Sequence, residues 1–274
     1  MPLDHSLIGV EGPARERTWT AKDTMLYALG VGAGTSELEF TTEKGQRVLP
    51  TFAVLAAQSP GRRLGDFDPA LLVHAEQGFE LRGELPPAGG VRTTSKVTGI
   101  YDKGSGALVT SEARAVDLDT GEPVISSRSA VFIRGEGGFG GDRGPRDAWA
   151  LPDRAPDHKV TYPTVPEQAL LYRLSGDVNP LHSDPEFAAR AGFDRPILHG
   201  LCTYGVTGRA LLHAVAGSDP GRFRAMSGRF TSPVFPGESL TVSIWVDGED
   251  VRFRTAKDDG TVVIDRGRAT VSRR

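Results

Sequence analysis

The chain has 274 residues, 38% hydrophobic and 24% charged, an ordinary balance for a globular protein and enough length for one large domain or two smaller ones. A formal net charge of -3 speaks against a phosphate backbone or an anionic bilayer as the main partner, so neither nucleic acid nor membrane is expected. The single cysteine, Cys202, leaves no internal disulfide to form. Without a leader-like N-terminus or a window near the roughly 20 apolar residues of a membrane span, the expected location is the cytoplasm.

In chain order, Thr20 to Gly30 opens polar and carries apolar residues at helical spacing. Leu49-Pro-Thr-Phe-Ala-Val-Leu-Ala-Ala is apolar enough for a buried helix. Val91 to Ile100, Ala107 to Asp117 and Pro123 to Ile133 alternate as strands do, with turns at Asp102-Lys-Gly-Ser-Gly and Asp119-Thr-Gly. Residues 135–157 are rich in Gly and Pro and predict a linker; their glycines lack the strand-to-helix setting of a phosphate loop.

The same order then recurs. Pro166 to Gly176 predicts a helix, with Tyr172-Arg-Leu-Ser opposite Tyr27-Ala-Leu-Gly, and Leu198-His-Gly-Leu-Cys-Thr-Tyr-Gly-Val stands opposite the first buried helix. Ser239 to Val246, Val251 to Ala256 and Val262 to Val271 are strand-like, with turns at Asp247-Gly and Asp259-Gly. This predicts an α+β protein of two units, 1–134 and 158–274, each a curved antiparallel sheet around a long helix.

The chemistry concentrates in the second unit. Asp177 and His182 are separated by Val178-Asn179-Pro180-Leu181, and a residue before proline is biased away from helix, so a bent loop can aim both side chains at one point. Asp184 reads as the N-cap of the next helix, with Pro185 at its first position. A further helix start at Leu198-His-Gly offers backbone N–H groups at Gly200 and Leu201. A carboxylate, an imidazole and oriented N–H donors suit water addition to an enoyl thioester: water is held and deprotonated, a proton reaches the α-carbon, and Gly200 lets the thioester oxygen approach the backbone. Taken singly, each residue has a plain alternative as turn former, structural hydrogen-bonder or loop end; His5, His158 and His213 carry nothing beyond that.

Tyr172, Leu174, Ser175, Gly176, Asp177, Asn179, Pro180, Leu181 and His182, continued by Phe187-Ala, Ala191-Gly-Phe, Pro196-Ile-Leu-His-Gly-Leu-Cys-Thr and Pro233 to Pro236, resemble the signature of MaoC-like type 2 (R)-specific enoyl-CoA hydratases. Nearly the whole chain is similar to the hydratase 2 unit of peroxisomal multifunctional enzymes of type 2, including Tyr27-Ala-Leu-Gly-Val-Gly-Ala, Leu49-Pro-Thr-Phe and Gly137-Gly-Phe-Gly-Gly. The resemblance implies a double hot-dog fold and reversible hydration of trans-2-enoyl-CoA to (3R)-3-hydroxyacyl-CoA, in fatty acid or sterol side-chain metabolism, without metal or other cofactor. It further implies catalytic roles for Asp177, His182, Asn179 and Gly200, acyl-CoA contacts at His74, Ala75, Lys103 and Phe230, and supporting positions at Tyr27, Glu43, Glu76, Tyr172 and Asp184. Ala75 stands where relatives commonly carry glycine.

Gly30-Val-Gly-Ala-Gly, in the first unit, has neither Asp nor His, so that unit is expected to be catalytically silent and to open an acyl-chain pocket, with Leu26, Phe52, Val54 and Leu55 as candidate lining. The partner is an acyl-CoA thioester, and a homodimer is expected. A dehydratase working on acyl carrier protein thioesters is the alternative within the same chemistry, a non-catalytic acyl-CoA binding subunit the alternative outside it, and a thioesterase fits the loop less well.

Overall fold

A computed structural model describes residues 3–59, 63–68, 71–145 and 147–272. The first half runs β1 (Arg15–Trp19), α1 (Ala21–Gly30), α2 (Leu38–Thr41), a 3₁₀ turn at Pro50–Phe52, α3 (Ala53–Ala56), β2 (Leu72–Leu81), β3 (Gly89–Asp102), β4 (Gly106–Asp117) and β5 (Pro123–Arg134). The second runs β6 (His158–Pro163), α4 (Gln168–Tyr172), α5 (Pro185–Arg190), α6 (Gly200–Val215), β7 (Phe223–Phe230), β8 (Ser239–Asp247), β9 (Asp250–Lys257) and β10 (Val262–Val271).

Among the described residues the ten strands form one antiparallel sheet in the order β1-β3-β4-β5-β2-β7-β10-β9-β8-β6. The second five repeat the first in mirrored order, which is the double hot-dog arrangement. The halves join where β2 pairs with β7, from Glu76 opposite Arg229 to Glu80 opposite Ala225. The hairpins close where the sequence has Asp-Gly and Gly-containing turns, as at Asp117–Gly121, where Asp117 accepts from Thr120 N–H at 2.9 Å.

The two enclosed helices are unequal. In α6 every residue from Cys202 to Leu212 is buried, as a helix wrapped by a sheet must be. Its counterpart is no long helix: the 3₁₀ turn and α3 together span only Pro50–Ala56, all of them buried. The apolar run before Gln58 is too short to build more. α6 also lies unusually close to the first half. A Cβ on Gly205 would meet Val31 Cγ1 at 2.4 Å, and one on Gly208 would meet Thr51 Cγ2 at 2.3 Å, so glycine at both places is what permits the approach.

Between Arg134 and His158 the described residues form no helix or strand. This connection is strapped to the second half: Trp149 Nε1 donates to Gly267 O at 3.3 Å, Arg252 to Ala150 O at 2.8 Å, and Arg268 pairs with Asp147 at 2.9 Å.

Candidate active site

The loop carrying Asp177 is built by successive short-range devices. α4 passes into a 3₁₀ turn, Arg173–Ser175, which ends at Gly176 with φ of 121°, a conformation that residues with side chains rarely adopt. Asn179 Oδ1 accepts from Leu181 N–H at 3.0 Å and starts a second 3₁₀ turn, Pro180–His182. Asp184 then caps α5, accepting from Glu186 N–H at 2.8 Å and Phe187 N–H at 3.2 Å. Its carboxylate is occupied in capping.

Asp177, His182 and His199 converge, with their side-chain ligand atoms all within 4.8 Å of one another. Carbonyl partners fix both imidazole tautomers, since a carbonyl only accepts. His182 Nδ1–H donates to Ile197 O at 2.9 Å, leaving Nε2 with a lone pair. His199 Nε2–H donates to Asp177 O at 3.1 Å, so the second histidine pins the backbone of the first acid. The two rings stack with centroids 3.7 Å apart and 29° between planes. Burial pushes His182 below its ordinary pKa, with the Ile197 carbonyl and the Asp177 charge opposing. Burial and the neighbouring His182 push His199 down to about 4. Both are therefore neutral at pH 7. A water spanning Asp177 and His182 Nε2 would meet an acceptor on each side.

Three such groups within reach could in principle hold a divalent cation. Stacked rings, however, project their lone pairs side by side rather than toward one centre, and one lone pair, on His199 Nδ1, is buried. The set suits a water held by two acceptors better than a tetrahedral metal.

The N-terminus of α6 supplies the donors. Its first intrahelical bonds run from Cys202 and Thr203 N–H to His199 O, leaving Gly200 and Leu201 N–H ahead of them. A Cβ on Gly200 would lie 3.5 Å from the Phe230 ring, and Phe230 meets the His74 ring at 5.0 Å. His74 Nε2–H donates to Glu76 O at 3.1 Å, and Ala75 is skipped in the β2–β5 register, as the extra residue of a bulge. His74, Phe230 and Gly200 thus form one contiguous wall. Glu76 turns to Arg229, which donates to it at 2.8 Å.

Other candidates lie elsewhere. Tyr27 and Tyr172 are fully buried, 6.2 Å apart by ring centroids, and burial raises the pKa of each phenol. They continue a ladder of rings from Phe52, 5.5 Å from Tyr27, to His199, 4.9 Å from Tyr172. Glu43 is exposed in the turn after α2 and takes no part in the site. Lys103 sits at the β3–β4 turn, where its ammonium donates to the Arg143 carbonyl and lies 5.8 Å from the Tyr101 ring centroid. It touches neither the Asp177 loop nor the His74 wall. Leu26 and Phe52 line a cavity beside the catalytic loop, whereas Val54 and Leu55 belong to the close-packed core.

Sequence alone gives His199, directly before Gly200, no more than a loop-end reading; only the fold carries it across 22 residues to Asp177. His213 likewise has a defined setting. With Tyr27 set against Tyr172, Gly32 and Glu37 take the places of Asp177 and His182 in the first half. Glu37 Oε1 accepts from Arg209 Nε and from His213 Nε2, each at 2.7 Å, and Arg209 also donates to Val31 O at 3.0 Å. Burial would raise the Glu37 pKa, but these partners outweigh it and hold it low. This segment of the first half forms an ion-paired joint with the second.

Residues 18–135 match the MFE-2 hydratase 2 N-terminal domain and residues 147–267 the MaoC like domain. The chain is 47% identical to 3-hydroxyacyl-thioester dehydratase Y of Mycobacterium tuberculosis, over 97% of this chain and 98% of that one. It is 44% identical to enoyl-CoA hydratase ChsH3 of the same organism, over 90% and 91% of the two chains. A crystal structure of a MaoC-like dehydratase from Phytophthora capsici superposes with a TM-score of 0.90 at 34% identity, over 100% of this chain and 98% of that one. Among the described residues no helix is long and apolar enough to cross a membrane. With both domains matched in this order, the chain belongs to the MaoC-like family, in the branch that carries an MFE-2 hydratase 2 N-terminal domain.

Proposed function

We propose that this protein is an enoyl-CoA hydratase that converts trans-2-enoyl-CoA reversibly to (3R)-3-hydroxyacyl-CoA. The observation that carries this is the unprotonated His182 Nε2 facing the Asp177 carboxylate, with the Gly200 end of α6 beside them. Water held by the pair adds its oxygen to the β-carbon and gives up a proton to the pair. The π electrons move onto the thioester oxygen, stabilised by the α6 N–H groups. The pair then returns a proton to the α-carbon, so that H and OH are added in net and neither residue changes state. His74, Ala75 and Phe230 form the wall against which the thioester lies, and Asn179 keeps the loop bent. Tyr27, Tyr172 and Glu76 support the walls.

The division into a silent unit at 1–134, a linker at 135–157 and a catalytic unit at 158–274 is part of this reading, as are a cytoplasmic setting and a homodimer. The test is a panel of crotonyl-, decenoyl- and sterol-side-chain enoyl-CoA substrates with chiral analysis of products and light scattering of the protein. Formation of (3R)-alcohols supports the reading; inactivity across the panel, or (3S)-alcohols, rejects it. The 47% identity to a protein named 3-hydroxyacyl-thioester dehydratase favours a second reading, net dehydration on acyl carrier protein. The same panel on that carrier decides it, by which carrier gives the higher kcat/KM.

A further inference from the structure

Arg17, in the middle of edge strand β1, is partly buried and poorly partnered. Its guanidinium reaches Gln58 Oε1 and the Ser175 carbonyl, both at 3.4 Å and both neutral, and among the described residues no carboxylate pairs with it. Asp23 is near, but its Oδ2 accepts from the Thr20 N–H and hydroxyl at 2.7 Å each. Arg15 adds positive charge to the same neighbourhood. Burial first, and Arg15 second, lower the Arg17 pKa against the opposing pull of Asp23 and Tyr172. A half-buried cation without a counter-ion is costly.

This guanidinium stands at one side of a cavity of about 270 Å³ lined also by Trp19, Leu26, Phe52 and Ser175. The Ser175 Oγ is buried without a hydrogen-bond partner among the described residues. Gly176, another wall residue, is the neighbour of Asp177 in the chain. The cavity therefore abuts the Asp177 loop, sets the apolar side chains of Trp19, Leu26, Phe52 and Leu174 beside polar ones that include Asp23, and has in its wall a guanidinium that no carboxylate pairs with among the described residues.

Building on the hydratase reading, we propose that the acyl chains this protein selects end in a carboxylate, received by Arg17. The enoyl thioester lies at Asp177 and His182, the chain passes Phe52 and Leu26, and the far carboxylate takes the place of a counter-ion for the guanidinium. Bidentate, charge-assisted hydrogen bonds of this kind are the strong ones. Substrates of this class are ω-carboxy-2-enoyl-CoA thioesters.

The experiment measures kcat/KM for octenoyl-, decenoyl- and dodecenoyl-CoA beside their ω-carboxy counterparts, in the parent protein, Arg17→Met and Arg17→Lys. At one or more lengths the parent should favour the carboxylated thioester. In Arg17→Met that preference should fall about tenfold to a hundredfold, the worth of a charged hydrogen bond, with Arg17→Lys keeping part of it. A parent that prefers plain chains at every length overturns the proposal and leaves the hydratase reading intact. An unchanged ratio in Arg17→Met, or an equal loss on both series, overturns it too. Inactivity of the parent on every thioester rejects the hydratase reading itself.

Discussion

Alanine at Gly200 separates transition-state stabilisation from folding. The added Cβ would sit 3.5, 3.6 and 3.7 Å from three carbons of the Phe230 ring, ordinary van der Waals contact, so no neighbour has to move. Gly200 opens α6 without a left-handed backbone, and within helices alanine is favoured over glycine by up to about 1 kcal/mol. Stability should therefore hold or rise. The same methyl occupies the space between the helix N-terminus and Phe230 through which the thioester oxygen must approach. A displacement near 1 Å costs about 10²-fold in rate, at the lower edge of the loss on deleting an oxyanion donor. Gly200→Ala should thus melt no lower than the parent while kcat, followed by loss of the conjugated enoyl absorbance at saturating substrate, falls about a hundredfold. A kcat within a few-fold of the parent would refute the oxyanion role. A large fall in melting temperature would refute the packing on which the estimate stands.

Asp177→Asn and His182→Ala should each cost at least about 10²-fold in kcat, and the double variant little more than the worse single, because both act on one water; circular dichroism checks that each is folded. Since burial holds His182 below its ordinary 6.5, the rate should be level through neutrality and fall on the acid side below that value, and a decline beginning above it would contradict a neutral base. His199 is held down to about 4 from 6.5, so the unfolded chain takes a proton in that window and the folded chain does not. Stability is full above 6.5 and should drop by roughly 3 kcal/mol as pH falls through the folded value, read from urea midpoints, with a shallower slope in His199→Asn. Glu37→Gln or Arg209→Met, each breaking an ion pair whose side chains are under 10% exposed, should cost about 3–5 kcal/mol, whereas Glu37→Leu with Arg209→Met should cost less. Phe52→Trp, filling the cavity beside the catalytic loop, should shift preference toward shorter chains; a changed melting point with the same chain-length profile would make Phe52 a core residue only.

The elements legible in the sequence were those with clean local patterns. α1 begins after Thr20, whose hydroxyl and N–H both meet Asp23 at 2.7 Å, and β3, β4, β5, β8, β9 and β10 alternate as half-buried strands do. Four strands were missed for physical reasons. β1, Arg-Glu-Arg-Thr-Trp, and β6, with His158 and Lys159, are sheet edges, where charge guards against unwanted pairing and hides the alternation. β2 and β7 lie at the centre, but the bulge at Ala75 breaks the period of one, and glycines interrupt both: a Cβ at Gly228 would clash with Ile264, and one at Gly78 would crowd Ser227. The Asp177–His182 loop was legible because its bends are local, made by Gly176, Asn179 and Pro180. His199 and the Glu37–Arg209–His213 joint were not, since they form only when segments distant in the chain meet.

The seam between β2 and β7 makes each half an unfinished sheet. Cut within residues 135–157, either half would bare the edge of a central strand and the apolar surroundings of its enclosed helix, and such an edge templates pairing with any extended chain. Alone, each fragment should aggregate or pair with a second copy of itself across that edge; produced together, they should find one another and restore the interface. The connection turns this encounter into an intramolecular one, at an effective concentration that short tethers hold in the millimolar range. Tethering of this kind removes the need for both partners to be identical. One half is free to carry the Glu37 joint where the other carries the Asp177–His182 loop, a division that an assembly of identical single units cannot make.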